Sequence, residues 1–263
     1  MSQTKVRNVV EKLLQEYPYH MAMDWDNPGL QVGRMEGSAG KIVVALDATD
    51  EVIEECVRFG ADLLITHHPL LMSGVRQIND GSMAGRRILT LAENRIAHYA
   101  IHTNYDTAVM GELAADRIKL ADRKILEVTG GTDDSPYGIG VIGNLDSPMT
   151  AEEVCKLVKE AFGLNSIRLF GNPEKKVQYI AISPGSGKSM AEPAISAGVE
   201  LLVTGDIGHH DGLDAVDQGL LVADAGHYGI EHIFIDHMCK WLRGVFPELE
   251  VKAVQENPPF ISL

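Results

Sequence analysis

Two stretches of this chain align with each other without a gap, and this constrains the fold more than any other feature of the sequence. Ile42 to His68 (IVVALDATDEVIEECVRFGADLLITHH) lies on Ile180 to Asp206 (IAISPGSGKSMAEPAISAGVELLVTGD). Glu54 meets Glu192, Gly60 meets Gly198, Leu63 and Leu64 meet Leu201 and Leu202, and Thr66 meets Thr204. Each stretch reads as an apolar strand, a helix, a glycine that stops it and a second apolar strand. The absence of gaps favours a structural repeat over chance recurrence of a common plan. Two copies are too few for a solenoid, so the expectation is two related lobes.

The rest of the chain alternates in the same way. Val6 to Gln15 reads as a helix ended by the Tyr17-Pro18 step, and Lys41 to Leu46 as a strand. Asp50 to Phe59 is a helix stopped by Gly60, Leu63 to Thr66 a buried strand closed by Pro69. A helix over Met83 to Asn94 and a strand over His98 to Ile101 follow. Further on, Tyr137 to Ile142 and Ser166 to Phe170 read as strands flanking a capped helix, Ala151 to Phe162. Continuous apolar strands separated by helices predict an α/β fold with mixed, largely parallel sheets. The C-terminal helix Ile233 to Val245 and strand Glu248 to Val254 are expected to return to the first lobe. That lobe would then comprise residues 1–127 with 236–263, and the second lobe residues 128–235, with a metal site between them.

Composition limits the partners. The 263 residues carry a formal net charge of -14, which disfavours bulk attraction to nucleic acid or anionic membrane. Apolar content of 45% and charged content of 23% are ordinary for a globular chain. The three cysteines, Cys56, Cys155 and Cys239, are far apart and show no Cys-x-x-Cys spacing, which fits a reducing cytosol and buried thiols. Charges run through the N-terminal helix, unlike a signal core, and no apolar run approaches a bilayer span. A cytoplasmic protein is expected.

Five residues in three segments carry the chemistry: His67 and His68, Asp106, and His227 with Glu231. Imidazole and carboxylate are the donors that zinc and other transition metals accept, and this number suffices for two ions. His67 and His68 follow a predicted strand; adjacent strand side chains face opposite ways, so the pair shares one site only where the strand ends. Both aligned stretches put their polar cluster at the carboxyl end of the second strand, where open α/β sheets place ligands. His227 and Glu231 are spaced i, i+4, on one face if Gly226 opens a helix, and Glu231 has two oxygens with which to bridge ions. Taken singly, that pair also reads as an ordinary helical surface pair and Asp106 as a turn or N-cap residue. Asp106 sits four residues after His102, at the same sheet edge.

Other signals point less far. His209 and His210 read either as a second metal cluster or as helix-start residues lining a pocket, where His210 would move protons. His20, His98 and His237 have no nearby partner of the right kind and read as structural. The loop Ser183-Pro-Gly-Ser-Gly-Lys-Ser189 ends like a phosphate-binding loop, but Ile182 stands where that pattern requires glycine. It reads as a plain tight turn, the alternative being a helix N-terminus whose small residues cradle a phosphate or carboxylate.

These segments occur in an order that resembles a known family. Asp24-Trp25-Asp26-Asn27-Pro28-Gly29-Leu30-Gln31-Val32-Gly33, Thr66-His67-His68-Pro69, His102-Thr103-Asn104-Tyr105-Asp106, Thr204-Gly205-Asp206 with His210, and Gly226-His227-Tyr228 with Glu231 together look like the NIF-three-like family. Its bacterial members are often labelled GTP cyclohydrolase 1 type 2 homologues. The resemblance runs from about Lys5 to Val254. It departs at Tyr105, where leucine is common, and at Val109-Met110-Gly111, where a Gly-Gly is usual; neither removes a ligand.

The resemblance implies a cytoplasmic α/β protein with a dinuclear metal site, assembled as a homohexameric ring. His67, His68, Asp106, His227 and Glu231 would be the metal ligands, with Glu231 or Asp106 bridging two divalent ions (Zn, Mn or Fe). The Trp25–Gly33 loop and His210 would lie around the cavity, and Gly185-Ser186-Gly187 would be the family's small-residue loop. The function expected is metal-dependent hydrolysis of a nucleotide or other small phosphorylated or cyclic substrate, with His210 and Glu231 as catalytic residues. The alternative is a non-catalytic metal-binding ring that regulates, sequesters a ligand or docks a protein. No membrane contact is expected, and nucleic acid is disfavoured.

Overall fold

The computed structural model of the chain describes residues 4–256, 258 and 260. It divides into two compact units, the first from the described residues of Met1–Tyr105 and Phe234–Asn257, the second from Asp106–Ile233 and the described residues of Pro258–Leu263.

The first unit holds a five-stranded sheet. Its strands are β1 (Gly29–Val32), β2 (Lys41–Ala45), β3 (Leu63–Thr66), β4 (Ala97–Ala100) and, after the second unit, one more from Glu250–Ala253. Their spatial order is β1-β4-β3-β2 followed by the C-terminal strand, which lies parallel to β2. The chain therefore returns to this unit after leaving it. Strands β2, β3 and β4 run parallel, and β1 is antiparallel to β4. Between β2 and β3 runs the helix Asp50–Phe59. Thr49 caps it by accepting from the Val52 amide, and Gly60 ends it at φ 70°, a left-handed conformation that costs glycine nothing. Val52, Ile53 and Cys56 of that helix pack on Val43, Ala45 and Leu64 with Leu91 and Ile96, forming the apolar layer on one sheet face.

The second unit holds a six-stranded sheet: β5 (Ala121–Thr132), β6 (Ser135–Thr150), β7 (Arg168–Phe170), β8 (Lys176–Ser186), β9 (Leu201–Gly205) and β10 (Leu221–Asp224). The strand of Glu250–Ala253 is β11. Spatially the order is β5-β6-β8-β9-β10-β7. Only β8-β9 and β9-β10 are parallel; β5-β6, β6-β8 and β10-β7 are antiparallel. This sheet is thus mixed without being largely parallel, because the long β5-β6 hairpin joins it at one edge. A core of Ile142, Ala181, Ala194, Leu202, Leu220 and Val222 covers it.

The two units share a local plan. The order β1-β4-β3-β2 corresponds to β7-β10-β9-β8, with the first pair antiparallel and the others parallel in each case. Ile42 pairs with Leu63 and Ile180 with Leu201, so residues equivalent in the gapless alignment are equivalent in register. Gly198 repeats the left-handed conformation of Gly60, at φ 71°.

Candidate metal centre

In the first unit the site grows from the carboxyl ends of β2, β3 and β4. Strand β3 stops at Thr66, and His67 and His68 lie in the bend beyond it. Freed from strand alternation, their rings approach to 5.0 Å between centroids. Thr66 fixes the bend by donating its hydroxyl to the His68 carbonyl at 2.7 Å. That hydroxyl also meets His98 Nε2 at 2.7 Å. Full burial pushes the His98 imidazole down to about 3, so His98 is a neutral core residue that braces the bend.

Each imidazole here is oriented through Nδ1. His67 Nδ1 donates to the Ile101 carbonyl at 2.9 Å, and His68 Nδ1 meets Asp47 Oδ1 at 2.9 Å. His102 stands just past β4, where its Nδ1 meets Asp26 Oδ1 at 2.7 Å. Nε2 is then the nitrogen that a metal would take, and an oxygen behind the other nitrogen is the usual support for a metal-binding histidine. One ligand atom each from His67, His68 and His102 fall within 4.8 Å of one another.

In the second unit the site sits at the ends of β9 and β10. Gly226, at φ 78°, opens the short helix His227–Glu231, which puts both side chains on one face as the i, i+4 spacing requires. His227 Nδ1 meets Asp206 Oδ2 at 2.8 Å, and His227 Nε2 lies 2.9 Å from Glu231 Oε2. Burial opposes charge on this imidazole, but hydrogen bonds and charges from Glu231 and Asp206 outweigh it and raise His227 to about 9. Asp206 reaches its position with φ 58°, an uncommon backbone state for a residue other than glycine. The glycines make room: a Cβ on Gly185 would lie 2.4 Å from Glu231 Oε1, and one on Gly205 would lie 2.5 Å from the His227 amide. The Ser183–Ser189 loop therefore serves close packing around a buried carboxylate.

Asp106 does not follow a strand directly. It opens a π-helical turn, Asp106–Met110, between the helical segments Thr103–Tyr105 and Gly111–Arg117, and such turns concentrate at functional sites. His210 stands on the exposed first turn of the helix His209–Asp217, its ring 5.2 Å from that of His209. Sequence reasoning gave no part to Asp26, Asp47 or Asp206 as orienting carboxylates. Asp47 and Asp206 were detectable as acids at the carboxyl ends of strands; Asp26 pairs with His102 across a separation that leaves no local pattern. The three cysteines are free and buried. Among the described residues no helix is long and apolar enough to cross a membrane.

This donor set, imidazoles fixed through Nδ1 together with a buried carboxylate, fits divalent metal in both units. A GTP cyclohydrolase 1 type 2 homolog of Clostridium acetobutylicum is 33% identical over 250 residues, covering 95% of this chain and 93% of that protein. Its counterpart in Clostridium perfringens is 35% identical over 232 residues, covering 88% and 87%. Among solved structures, a Bacillus cereus protein related to NIF3 has the same fold, with a TM-score of 0.94 over 100% of both chains at 22% identity. Staphylococcus aureus protein SA1388 superposes with a TM-score of 0.88 at 26% identity, covering 99% of each chain. The family described as Duf34/NIF3 (NGG1p interacting factor 3) matches residues 4–259, and the chain belongs to that family.

Proposed function

We propose that the chain is a metal-dependent hydrolase in which His67, His68, Asp106, His227 and Glu231 hold two divalent ions. The observation that carries this reading is the common orientation of His67, His68 and His227, each with Nδ1 against an oxygen, and the His227 Nε2 beside the Glu231 carboxylate. A pair of ions in such a site supplies Lewis acidity, polarising a substrate oxygen and lowering the pKa of water. The chain's own part is to fix geometry and manage protons. Asp47 and Asp206 keep His68 and His227 in the tautomer that binds through Nε2, and Glu231 offers two oxygens from a buried position. His210, exposed on the first turn of its helix, is the proton carrier of this scheme, giving a proton to the leaving group. The substrate is a nucleotide or another small phosphorylated or cyclic molecule, in keeping with the name borne by the Clostridium relatives. We propose a cytoplasmic homohexamer, and units that descend from one duplicated strand–helix–strand plan.

A second reading is a non-catalytic metal-binding ring. Burial favours it: His67 is fully buried and Glu231 is 3% exposed, as in closed structural sites, whereas hydrolysis needs an open coordination position. Hydrolysis assays on nucleotides and generic phosphoesters, with metal analysis on the same preparation, separate the two. Metal-dependent turnover that disappears in Glu231→Ala supports the hydrolase. Bound metal without turnover on any substrate supports the binding ring.

A further inference from the structure

In the second unit the ladder between β6 and β8 is interrupted. Pairing runs from Val141 with Ile182 to Asn144 with Tyr179, and resumes only at Met149 with Val177. Leu145 to Pro148 of β6 therefore stand opposite Gln178 alone, and extra residues on one strand part the pair locally. The excursion is fixed in place, since Leu145 is buried and its carbonyl accepts from Gln178 Nε2 at 3.3 Å. In the first unit β2 takes the place of β8, and it keeps an unbroken register against β11 from Lys41 to Val44. There Lys41 pairs with Glu250 at 3.3 Å. The interruption is thus no requirement of the plan that the two units share.

The parted strands leave a cleft of about 430 Å³, whose walls include Pro148, Lys176, Val177, Gln178, Tyr179 and Glu200. That volume lies within the range of small-molecule sites, about 300–1,000 Å³. Two opposite charges share the cleft without pairing. Among the described residues neither the Lys176 ammonium nor the Tyr179 hydroxyl has a hydrogen bond or ion pair. Glu200 commits Oε2 to the amides of Gln178 (2.7 Å) and Tyr179 (2.9 Å), which fixes the carboxylate and leaves Oε1 for another donor. A simple anion at Lys176 would be opposed by Glu200, and a simple cation at Glu200 by Lys176. A molecule with both charges satisfies the two together through charge-assisted hydrogen bonds. Pro148, Val177 and the Tyr179 ring supply apolar surface beside them.

This cleft is distinct from the His227 cluster of the same unit. Glu200 immediately precedes β9 and Asp206 immediately follows it, so the two are roughly 20 Å apart at about 3.3 Å per strand residue.

We propose that the cleft binds a small zwitterion, an α-amino acid with an apolar side chain, its carboxylate held by Lys176 and its ammonium by Glu200 Oε1. The proposal is independent of the metal-binding reading.

The test is isothermal titration of the full-length protein with L-leucine and L-phenylalanine. Isocaproate, which is leucine without the ammonium, and isoamylamine, which is leucine without the carboxylate, are the controls. Saturable binding of at least one amino acid at one site per chain is expected, with both controls about 10–100-fold weaker than leucine. Lys176→Met and Glu200→Gln are each expected to weaken amino-acid binding by a similar factor, with circular dichroism unchanged. Glutamine keeps an oxygen for the two amides; should that variant still fail to fold, Lys176→Met, at an exposed position, decides alone. Absence of saturable binding by both amino acids would overturn the proposal. So would a control that binds as tightly as leucine, or wild-type affinity in Lys176→Met.

Discussion

Asp62 and Glu200 close the same backbone contact, one in each unit. Asp62 Oδ2 accepts from the amides of Gly40 (2.7 Å) and Lys41 (3.0 Å), and Glu200 Oε2 accepts from those of Gln178 (2.7 Å) and Tyr179 (2.9 Å). Each carboxylate immediately precedes a central parallel strand and reaches back to the strand before it, pinning the register that places each unit's polar cluster at the carboxyl edge of its own sheet. The gapless sequence alignment sets these two residues opposite each other.

Removing either carboxylate leaves two amides short of an acceptor. Asp62→Ala and Glu200→Ala are each expected to destabilise the protein by about 1–3 kcal/mol. Urea denaturation followed by circular dichroism measures this. Midpoints unchanged in both variants would show that the contact contributes nothing to stability.

Gly185 is expected to be intolerant of a side chain. It adopts φ +84°, and an added Cβ would lie 2.4 Å from Glu231 Oε1. The left-handed backbone alone costs about 1–2 kcal/mol, and the clash displaces the carboxylate besides. Gly185→Ala should therefore bind metal less tightly, with the loss read by titration. Tight binding retained in a folded variant would separate this loop from the site.

The His227 cluster gives the metal-free protein a pH dependence. Its imidazole has an ordinary value of 6.5, raised in the folded chain to about 9 by Glu231 and Asp206 against the opposing effect of burial. A raised value means that the proton stabilises the folded state fully below about pH 6.5, and that this stabilisation is lost as the pH rises through about 9. Thermal midpoints of the metal-free protein should fall across that window, and His227→Gln should flatten the fall. An identical slope in the variant would assign the effect elsewhere.

Metal and proton compete for the same nitrogen. Binding through His227 Nε2 must release the proton it shares with Glu231, so metal affinity should rise with pH up to about 9. Isothermal titration in buffers of different ionisation enthalpy counts the released protons. Chelation should lower the thermal midpoint, since the ions bind the folded state preferentially.

Much of the architecture was legible in the sequence where local signals were strong. The helix Asp50–Phe59 announces itself through Thr49 and Gly60, and β3 through an unbroken apolar run buried on both faces. The long strand β5 was not legible. Only one of its twelve residues is buried, it shows no clean apolar alternation, and its pairing comes from β6 across the hairpin. Strand β1 is four residues at a sheet edge, too short to show a period. Candidate ligands stood out by residue type and order, but their orientation depends on remote partners. Asp26 with His102 and Asp206 with His227 join segments with no pattern linking them. The π-helical turn at Asp106 likewise follows from packing and has no composition of its own.

The most direct test of the account is elemental analysis of the protein as purified, beside His67→Ala and Glu231→Ala. The account expects two divalent transition-metal ions per wild-type chain and a clear loss in each variant, with far-ultraviolet circular dichroism unchanged. Wild type without metal, or variants that keep the full complement, would contradict it.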